Sequence, residues 1–574
     1  MTENAVEFRN FGFKYTAQAE PTLYDINLTI RRGEKVLICG PSGCGKSTLV
    51  HCINGLVPAS YSGEVSGELL IDGNSFRDMD IFSLSKTVGT VLQDSDAQFI
   101  GLTVGEDIAF ALENDRTSLD EMRRRVSDVA AQVGVSDFLL HAPHELSGGL
   151  KQRVSLAGVM VDNVSILLFD EPLANLDPAT GKTTIELIDE IHERTGDTVI
   201  IVEHRLEDVL HRDVDRVILM HEGRIVSDST PADLLCSDLL VENGIREPLY
   251  ITALKYAGVP ITKDIRPQRI DTLELSEANK DKVRSWYKNT PVIEVPVSDI
   301  TALSARGIGF AYDNGFVALR DIDAEVRRGE MISIVGRNGA GKSTFSKVIC
   351  GFEKQQKGEL YLDGRDMSDL SIRERAAHIG YVMQNPNQMI CKSMIRDEVA
   401  LALVLEGKLD TQEIDRRVDE ALKICGLYPF RNWPISALSY GQKKRVTIAS
   451  ILAMGPEIII LDEPTAGQDY RHYTEIMEFL RELNSTGKTI ILITHDMHLM
   501  LEYCTRAIVF SDGRKVADTS CEAVLTDSEI VKKASLKETS LAQLAELCGI
   551  DDEQDFIRRF ISTDREARDQ RRIV

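Results

Sequence analysis

The chain is 574 residues long, enough for several domains, and its 66 basic against 90 acidic residues leave a net charge of −24. That balance repels phosphodiester backbones, so nucleic acid is not expected as a partner. Ten cysteines fall without a CxxC pair or zinc-like spacing, which favours reduced thiols, most of them buried as small apolar residues, over disulfides or a metal cluster.

The opening residues Met1, Thr2, Glu3 and Asn4 lack the basic and apolar regions of a signal peptide. The longest apolar runs, such as 198–202 and 458–461, have strand length, whereas a membrane helix needs roughly 18 residues or more. The expectation is a cytosolic chain that does not cross a bilayer by itself.

Taken in order, the chain first offers an apolar run at 36–38 and then residues 40–47, which fit GxxxxGK[ST]: a strand, a glycine loop and a helix start. Gly40, Gly43 and Gly45 remove side chains so that backbone N–H groups, with Ser42 and Thr48 beside them, can surround phosphate at the positive end of a helix. Lys46 adds a full charge for the terminal phosphates of ATP, and the Ser47 hydroxyl is placed for a Mg²⁺ shell. Further on come Leu146, Ser147, Gly148, Gly149, Leu150, Lys151 and Gln152, and then an apolar run that ends in Asp170 and Glu171. It reads as a buried parallel strand, whose end is where an α/β sheet exposes ligand groups. Asp170 is placed to hold Mg²⁺ through water and Glu171 to polarise the attacking water as general base, although the pair could simply cap a helix before Pro172. His204 follows the next apolar strand.

The series then recurs in the same order. Gly336, Asn338, Gly339, Gly341, Lys342, Ser343 and Thr344 repeat the loop; Leu438, Ser439, Tyr440, Gly441, Gln442, Lys443 and Lys444 repeat the glycine segment; Asp462, Glu463 and His495 repeat the rest. The offsets are 342 − 46 = 296, 462 − 170 = 292 and 495 − 204 = 291, so the copies are homologous along their whole length. This divides the chain into domains at 1–236 and 303–525, a helical extension and linker at 237–302, and a helical tail at 526–574.

The segments 146–152 and 438–444 resemble the LSGGQ signature of ATP-binding cassette (ABC) ATPases, and the rest of that motif set stands in order in both halves. The resemblance implies an α/β fold of two tandem P-loop ABC-type nucleotide-binding domains, each with a helical signature subdomain, together with short helical extensions. It implies ATP hydrolysis with Mg²⁺. It makes Gln93 and Gln384 the Q-loop glutamines, sharing the metal shell with Ser47, Asp170, Ser343 and Asp462. It makes His204 and His495 the switch histidines, and Tyr15 and Tyr312 the aromatics that stack on adenine. Asn175, Leu176 and Asp177, and Gly467, Gln468 and Asp469, match the D-loops. In the family the signature of one domain meets ATP held by the other, so Ser439 and Gly441 would complete the site of Lys46, and Ser147 and Gly149 that of Lys342. ATP would then close an intramolecular cassette dimer and hydrolysis would open it.

Two positions depart from the pattern. Tyr440 stands for the first signature glycine, where a side chain could crowd the nucleotide, and Leu150 stands for the signature glutamine. Both sites keep their glutamate and histidine, so both are expected to hydrolyse ATP, at unequal rates. Cys44, beside a helix start, is expected to be a reactive thiol.

Acidic pairs after the Q-loops (Glu106 with Asp107, Asp397 with Glu398), polar loops framed by Gln93 with Gln98 and by Gln384 with Gln388, and the segments 234–249 and 541–550 are similar to the ATPases of energy-coupling-factor (ECF) importers for vitamins and transition-metal ions. That resemblance implies integral membrane scaffold and substrate-binding subunits, whose basic coupling helices meet those acids at the cytoplasmic face of a prokaryotic membrane. Acids favoured by a helix dipole explain any one of these residues equally well. In the tail, Leu541, Leu544, Leu547 and Cys548 fit one helical face. The rival readings are a tandem ATPase of a sugar or peptide importer and a soluble ABC-F type ribosome-associated ATPase. Against the latter stand the acidic balance and the proline-broken linker, although that linker holds a charged helical piece at 273–287.

Overall fold

The structure, a computed structural model, describes residues 3–92, 98–174, 176–293, 298–465, 468 and 470–573. The first half carries ten strands: β1 (Asn4–Tyr15), β2 (Leu23–Arg31), β3 (Lys35–Cys39), β4 (Gly63–Ile71), β5 (Asn74–Ser75), β6 (Val88–Val91), β7 (Ile166–Asp170), β8 (Thr198–Val202), β9 (Arg216–His221) and β10 (Arg224–Ser229). They form a four-stranded sheet in the order β2-β1-β4-β5 and a six-stranded sheet in the order β10-β9-β3-β8-β7-β6. β3, β7 and β8 are buried along their whole length and pair in parallel, which is why each reads as an unbroken apolar run. Alternate residues Val36 and Ile38, Ile166 and Leu168, and Ile200 and Val202 face one core, shared with Phe8, Phe11 and Phe13 of β1 and with Leu49, Val50 and Ile53 of the helix Lys46–Ile53. The helix that begins at the glycine loop is thus held between the two sheets.

The second half repeats the plan with β11 (Thr301–Ala311), β12 (Val317–Arg327), β13 (Met331–Gly336), β14 (Lys357–Leu362), β15 (Arg365–Asp366), β16 (Ile379–Val382), β17 (Ile458–Asp462), β18 (Thr489–Ile493), β19 (Arg506–Ser511) and β20 (Arg514–Ser520). Its sheets run β12-β11-β14-β15 and β16-β17-β18-β13-β19-β20, the same neighbours as in the first half. Both halves are therefore the α/β cassettes expected, and each inserts three helices that pack on one another: Val104–Asn114, Leu119–Val133 and Gly148–Met160 in the first, Ile395–Glu406, Thr411–Ile424 and Tyr440–Met454 in the second. Leu119–Val133 shows how the sequence builds them. Val126, Val129, Ala130 and Val133 form a buried stripe, and Gly134 in the left-handed region ends the helix.

Contacts divide the chain into two compact units that change over between Trp286 and Tyr287. The extension, with helices Leu239–Glu242 and Leu249–Tyr256, belongs to the first. In the tail, Leu541, Leu544 and Cys548 are buried along one face while Leu547 is half-buried. The last helix, Glu553–Ile573, buries Phe556, Ile557 and Phe560.

Eight cysteines are buried, Cys236 is half-buried and Cys391 is exposed. Cys44 is among the buried ones and belongs to the apolar core beneath the loop. This corrects the expectation of a reactive thiol there, because the same turn that places Cys44 near a helix start points its side chain inward. A brief maleimide treatment of the folded chain should label Cys391 and leave Cys44 unmodified, read by peptide mass spectrometry; Cys44 should label only in denaturant.

Candidate active site

Each glycine loop leaves the carboxyl end of its strand and enters a helix through a glycine in the left-handed region, Gly45 (φ 103°) or Gly341 (φ 100°). A Cβ on Gly40 would run into the Met220 carbonyl, and one on Gly336 into the Phe510 carbonyl. Around the loop the buried lysine folds back: Lys46 Nζ donates to the carbonyls of Gly40 (2.7 Å) and Pro41 (2.9 Å), and Lys342 Nζ to those of Gly336 (2.7 Å) and Arg337 (3.0 Å). A Cβ on Gly43 or Gly339 would meet open space, so the rim stays clear, with Ser42, Asn338 and Ser47 exposed on it and Ser343 half-buried. Tyr15 and Tyr312 stand beside the loops, each sharing a 3.0 Å hydrogen bond with the first helical turn, at Thr48 and Thr344.

Asp170 and Asp462 end β7 and β17, paired with Val202 and Ile493 of the next strand. The residue after each, Glu171 (φ 49°) and Glu463 (φ 47°), sits in the left-handed region, a sparsely populated conformation for a side chain of this size. Its N–H donates to Val202 or Ile493 at 2.9 Å, so the neighbouring strand holds the strained turn. Burial, followed by the charge of Glu171, pushes Asp170 up to about 6, and burial raises Glu171 and Asp462 as well. Asp170 Oδ1 is buried without a hydrogen-bond partner, while Asp462 accepts from Tyr381 Oη (2.8 Å) and is hydrogen-bonded to Ser343. A buried carboxylate oxygen left unpaired, with an oxygen-bearing serine next to the loop lysine, fits a hard divalent cation such as Mg²⁺.

The two histidines are held differently. His495 Nδ1 lies 2.7 Å from Glu463 Oε1. His204 Nδ1 lies 3.3 Å from Glu203 Oε1. Glu203 is wholly buried and accepts from the N–H groups of His204 (2.9 Å), Arg205 (3.2 Å) and Leu173 (3.3 Å), where the second half has the neutral Thr494. Sequence reading missed Glu203; setting the two copies side by side shows an acid against a threonine beside the histidine.

Gln93, Asn175, Gly467 and Asp469 lie outside the described residues. Gln384 is exposed, and its carbonyl accepts from Tyr440 Oη (3.2 Å) and Lys444 Nζ (3.0 Å). Within its own unit the Tyr440 side chain turns back to the loop of Gln384. Asp177 caps the helix Pro178–Thr195 by accepting from Thr180 N–H (2.9 Å).

The signature departures also have a local cause. Ser439 and Gln442 form a reciprocal capping box: Ser439 Oγ accepts from Gln442 N–H (3.3 Å), and Gln442 Oε1 from Ser439 N–H (3.0 Å). With Leu150 in the glutamine's place, Ser147 makes no side-chain cap bond. Gly149 and Gly441 follow in the first turn of the two helices.

Of the acids after the Q-loops, Glu106 and Asp397 are exposed, and Glu106, Asp107 and Glu398 bond to backbone N–H groups. Asp107 accepts from the N–H groups of Ile100 (2.8 Å) and Gly101 (3.0 Å), Glu398 from Cys391 (2.8 Å) and Lys392 (2.7 Å), and Glu106 forms a capping box with Thr103. They tie down the preceding loop. This part of the first cassette exposes apolar side chains as well, Ile100 (65 %), Leu102 (82 %) and Leu140 (90 %), beside the exposed Glu106. Among the described residues no helix is long and apolar enough to cross a membrane.

Two glycine loops, each facing an Asp-Glu strand end and a histidine on a parallel α/β sheet, define a tandem P-loop nucleoside triphosphatase. Comparison with known proteins narrows this: the chain belongs to the ABC transporter family, whose model matches residues 23–174 and 319–466. It is an ATP-binding subunit and ATP hydrolase of that class. A second model, described as an ATP-binding cassette cobalt transporter, matches residues 237–310. Relatives include ABC transporter ATP-binding proteins of Clostridium perfringens (57 % identical over 98 % of this chain and 99 % of that one), Enterococcus faecalis (55 %, 99 % and 100 %) and Vibrio parahaemolyticus (51 %, 99 % and 98 %). Among solved structures, cbiO1 from Clostridium perfringens, part of the ABC transporter complex cbiONQ, is 35 % identical over 44 % of this chain and all of that one, with a TM-score of 0.39.

Restoring the capping box should stabilise the first signature helix. Leu150→Gln is expected to add about 0.5–1 kcal/mol, measured as a higher denaturant midpoint for the first unit.

Proposed function

We propose that the chain energises an ECF-type importer at the cytoplasmic face of a prokaryotic membrane, with cobalt or another divalent transition-metal ion as cargo rather than a vitamin. The observation that carries this reading is the match of 237–310, a segment outside both cassette matches, to a model described as a cobalt transporter ATPase. The exposed Ile100, Leu102 and Leu140 support docking on integral membrane scaffold and substrate-binding subunits, because apolar side chains so exposed on one subdomain suit a protein partner.

In this reading Lys46 and Lys342 give their charge to the terminal phosphates, with the loop glycines, Ser42, Thr48, Asn338 and Thr344 around them, and Tyr15 and Tyr312 flank the adenine. When bound, Mg²⁺ would neutralise phosphate charge, held by Ser47, Gln93 and Asp170 at one site and by Ser343, Gln384 and Asp462 at the other. Glu171 and Glu463 take the proton of the attacking water. Burial that raises Glu171 makes it the stronger base, and the pinned left-handed turn fixes where it points. His204 and His495 sense the terminal phosphate, Ser147, Gly149, Ser439 and Gly441 serve the closed state, and ATP-driven closure of the two cassettes is the mechanical output.

Glu171→Gln and Glu463→Gln together should lower steady-state ATPase by about 10²–10⁴-fold, with each single variant retaining turnover at the other site. Purification of the tagged chain from its own cells in mild detergent should bring down a small multi-spanning scaffold and a compact substrate-binding membrane protein, identified by mass spectrometry. Paired large permeases with a separate binding protein would move the chain to a sugar or peptide importer, and ribosomal proteins without membrane partners would end the transport reading.

A further inference from the structure

Two of the differences between the signature helices lie one turn apart: Gly148 and Gln152 in the first half are Tyr440 and Lys444 in the second. At spacing i, i+4 these two side chains leave the same side of the helix Tyr440–Met454. They meet at one acceptor. Tyr440 Oη (3.2 Å) and Lys444 Nζ (3.0 Å) both donate to the carbonyl of Gln384, and Lys444 Nζ donates also to the carbonyl of Glu463 (2.8 Å). Lys444 is wholly buried, and an ammonium is kept in such a place only when its donors are satisfied; two backbone carbonyls take two of its three.

The first half does this otherwise. Gln152 is neutral, its amide donates to the carbonyl of Pro172, and it accepts from Thr184 Oγ1 (3.2 Å). The tether there falls one residue beyond Glu171. In the second half it falls on Glu463 itself, so that both backbone polar groups of that residue are engaged: the N–H by Ile493 of β18 and the carbonyl by Lys444. A peptide held at both ends cannot rotate out of the left-handed turn without breaking a buried bond.

We infer that Lys444, assisted by Tyr440, is a positioning residue for ATP hydrolysis at the Lys342 site, holding the Q-loop and the catalytic glutamate of that site in register. The inference rests on the roles proposed above for Glu463 and Gln384. It makes the tyrosine in the signature a companion of the lysine rather than a decayed glycine, and it gives the second cassette a link from signature helix to its own nucleotide site that the first builds with a neutral side chain.

The test separates the two sites. In a Glu171→Gln chain the Lys342 site supplies the turnover; in a Glu463→Gln chain the Lys46 site does. Lys444→Met should lower kcat at the Lys342 site by about ten-fold or more, with KM for ATP and the affinity for a fluorescent ATP analogue within about two-fold. At the Lys46 site it should change kcat by less than about three-fold. Tyr440→Phe, which removes only a hydroxyl, should give a smaller fall of about two- to five-fold confined to the same site, and it carries the test should Lys444→Met not fold. An equal loss at both sites in step with a lowered Tm, a loss of ATP affinity with kcat intact, or no loss at the Lys342 site would overturn the inference. Turnover surviving in the Glu171→Gln, Glu463→Gln double variant would instead remove the assignment of the glutamates, a different failure.

Discussion

The parallel pairing of three buried strands in each half is the constraint on which the chemistry depends. β3 with β8 and β8 with β7 run in one direction, so the glycine loop, the histidine and the Asp-Glu pair leave the sheet at the same edge although the loop lies more than a hundred residues before the other two. A slip along these strands, apolar on both faces, would draw the polar residues at their ends into the core. The helix that starts at Lys46 or Lys342 is clamped between two sheets, which fixes its amino end at that edge. Catalytic geometry is thus a by-product of hydrophobic burial.

Much of this is legible in the sequence. The glycine loops, the apolar strands and their carboxylate ends are dictated by local chemistry, and the recurrence at nearly one offset makes each copy evidence for the other. What is not legible is which polar side chains face inward. Asp107 and Glu398 read as surface acids when only their charge is considered; in the fold they satisfy backbone N–H groups of the loops before them. Cys44 reads as reactive from its place near a helix start, yet the turn at Gly45 points it into the core. Glu203 and Lys444 escaped notice because buried charge is rare and no pattern announces it; only the tertiary fold shows what each one meets.

The two nucleotide sites are alike in plan and different in their supports. Around His204 a second buried acid takes the imidazole, while His495 reaches the strand-end glutamate. Leu150 abolishes a helix cap that Gln442 keeps. Carrying both cassettes on one chain permits such divergence, because a covalent tether keeps the two halves at high effective concentration.

The last helix brings a buried charge of its own. Arg568 is buried, and its guanidinium donates to Tyr503 Oη (2.6 Å) and Glu502 Oε2 (3.2 Å) on the short helix Met497–Tyr503 that follows His495. Glu502 is itself buried, and Tyr473 Oη (3.2 Å) also donates to it. Breaking a buried ion pair from one side leaves the remaining charge stranded in a medium that cannot solvate it. The carboxyl-terminal helix is therefore a counter-ion to the cassette as much as a covering for it, and a chain cut short at the end of β20 would lack the guanidinium that balances the buried Glu502.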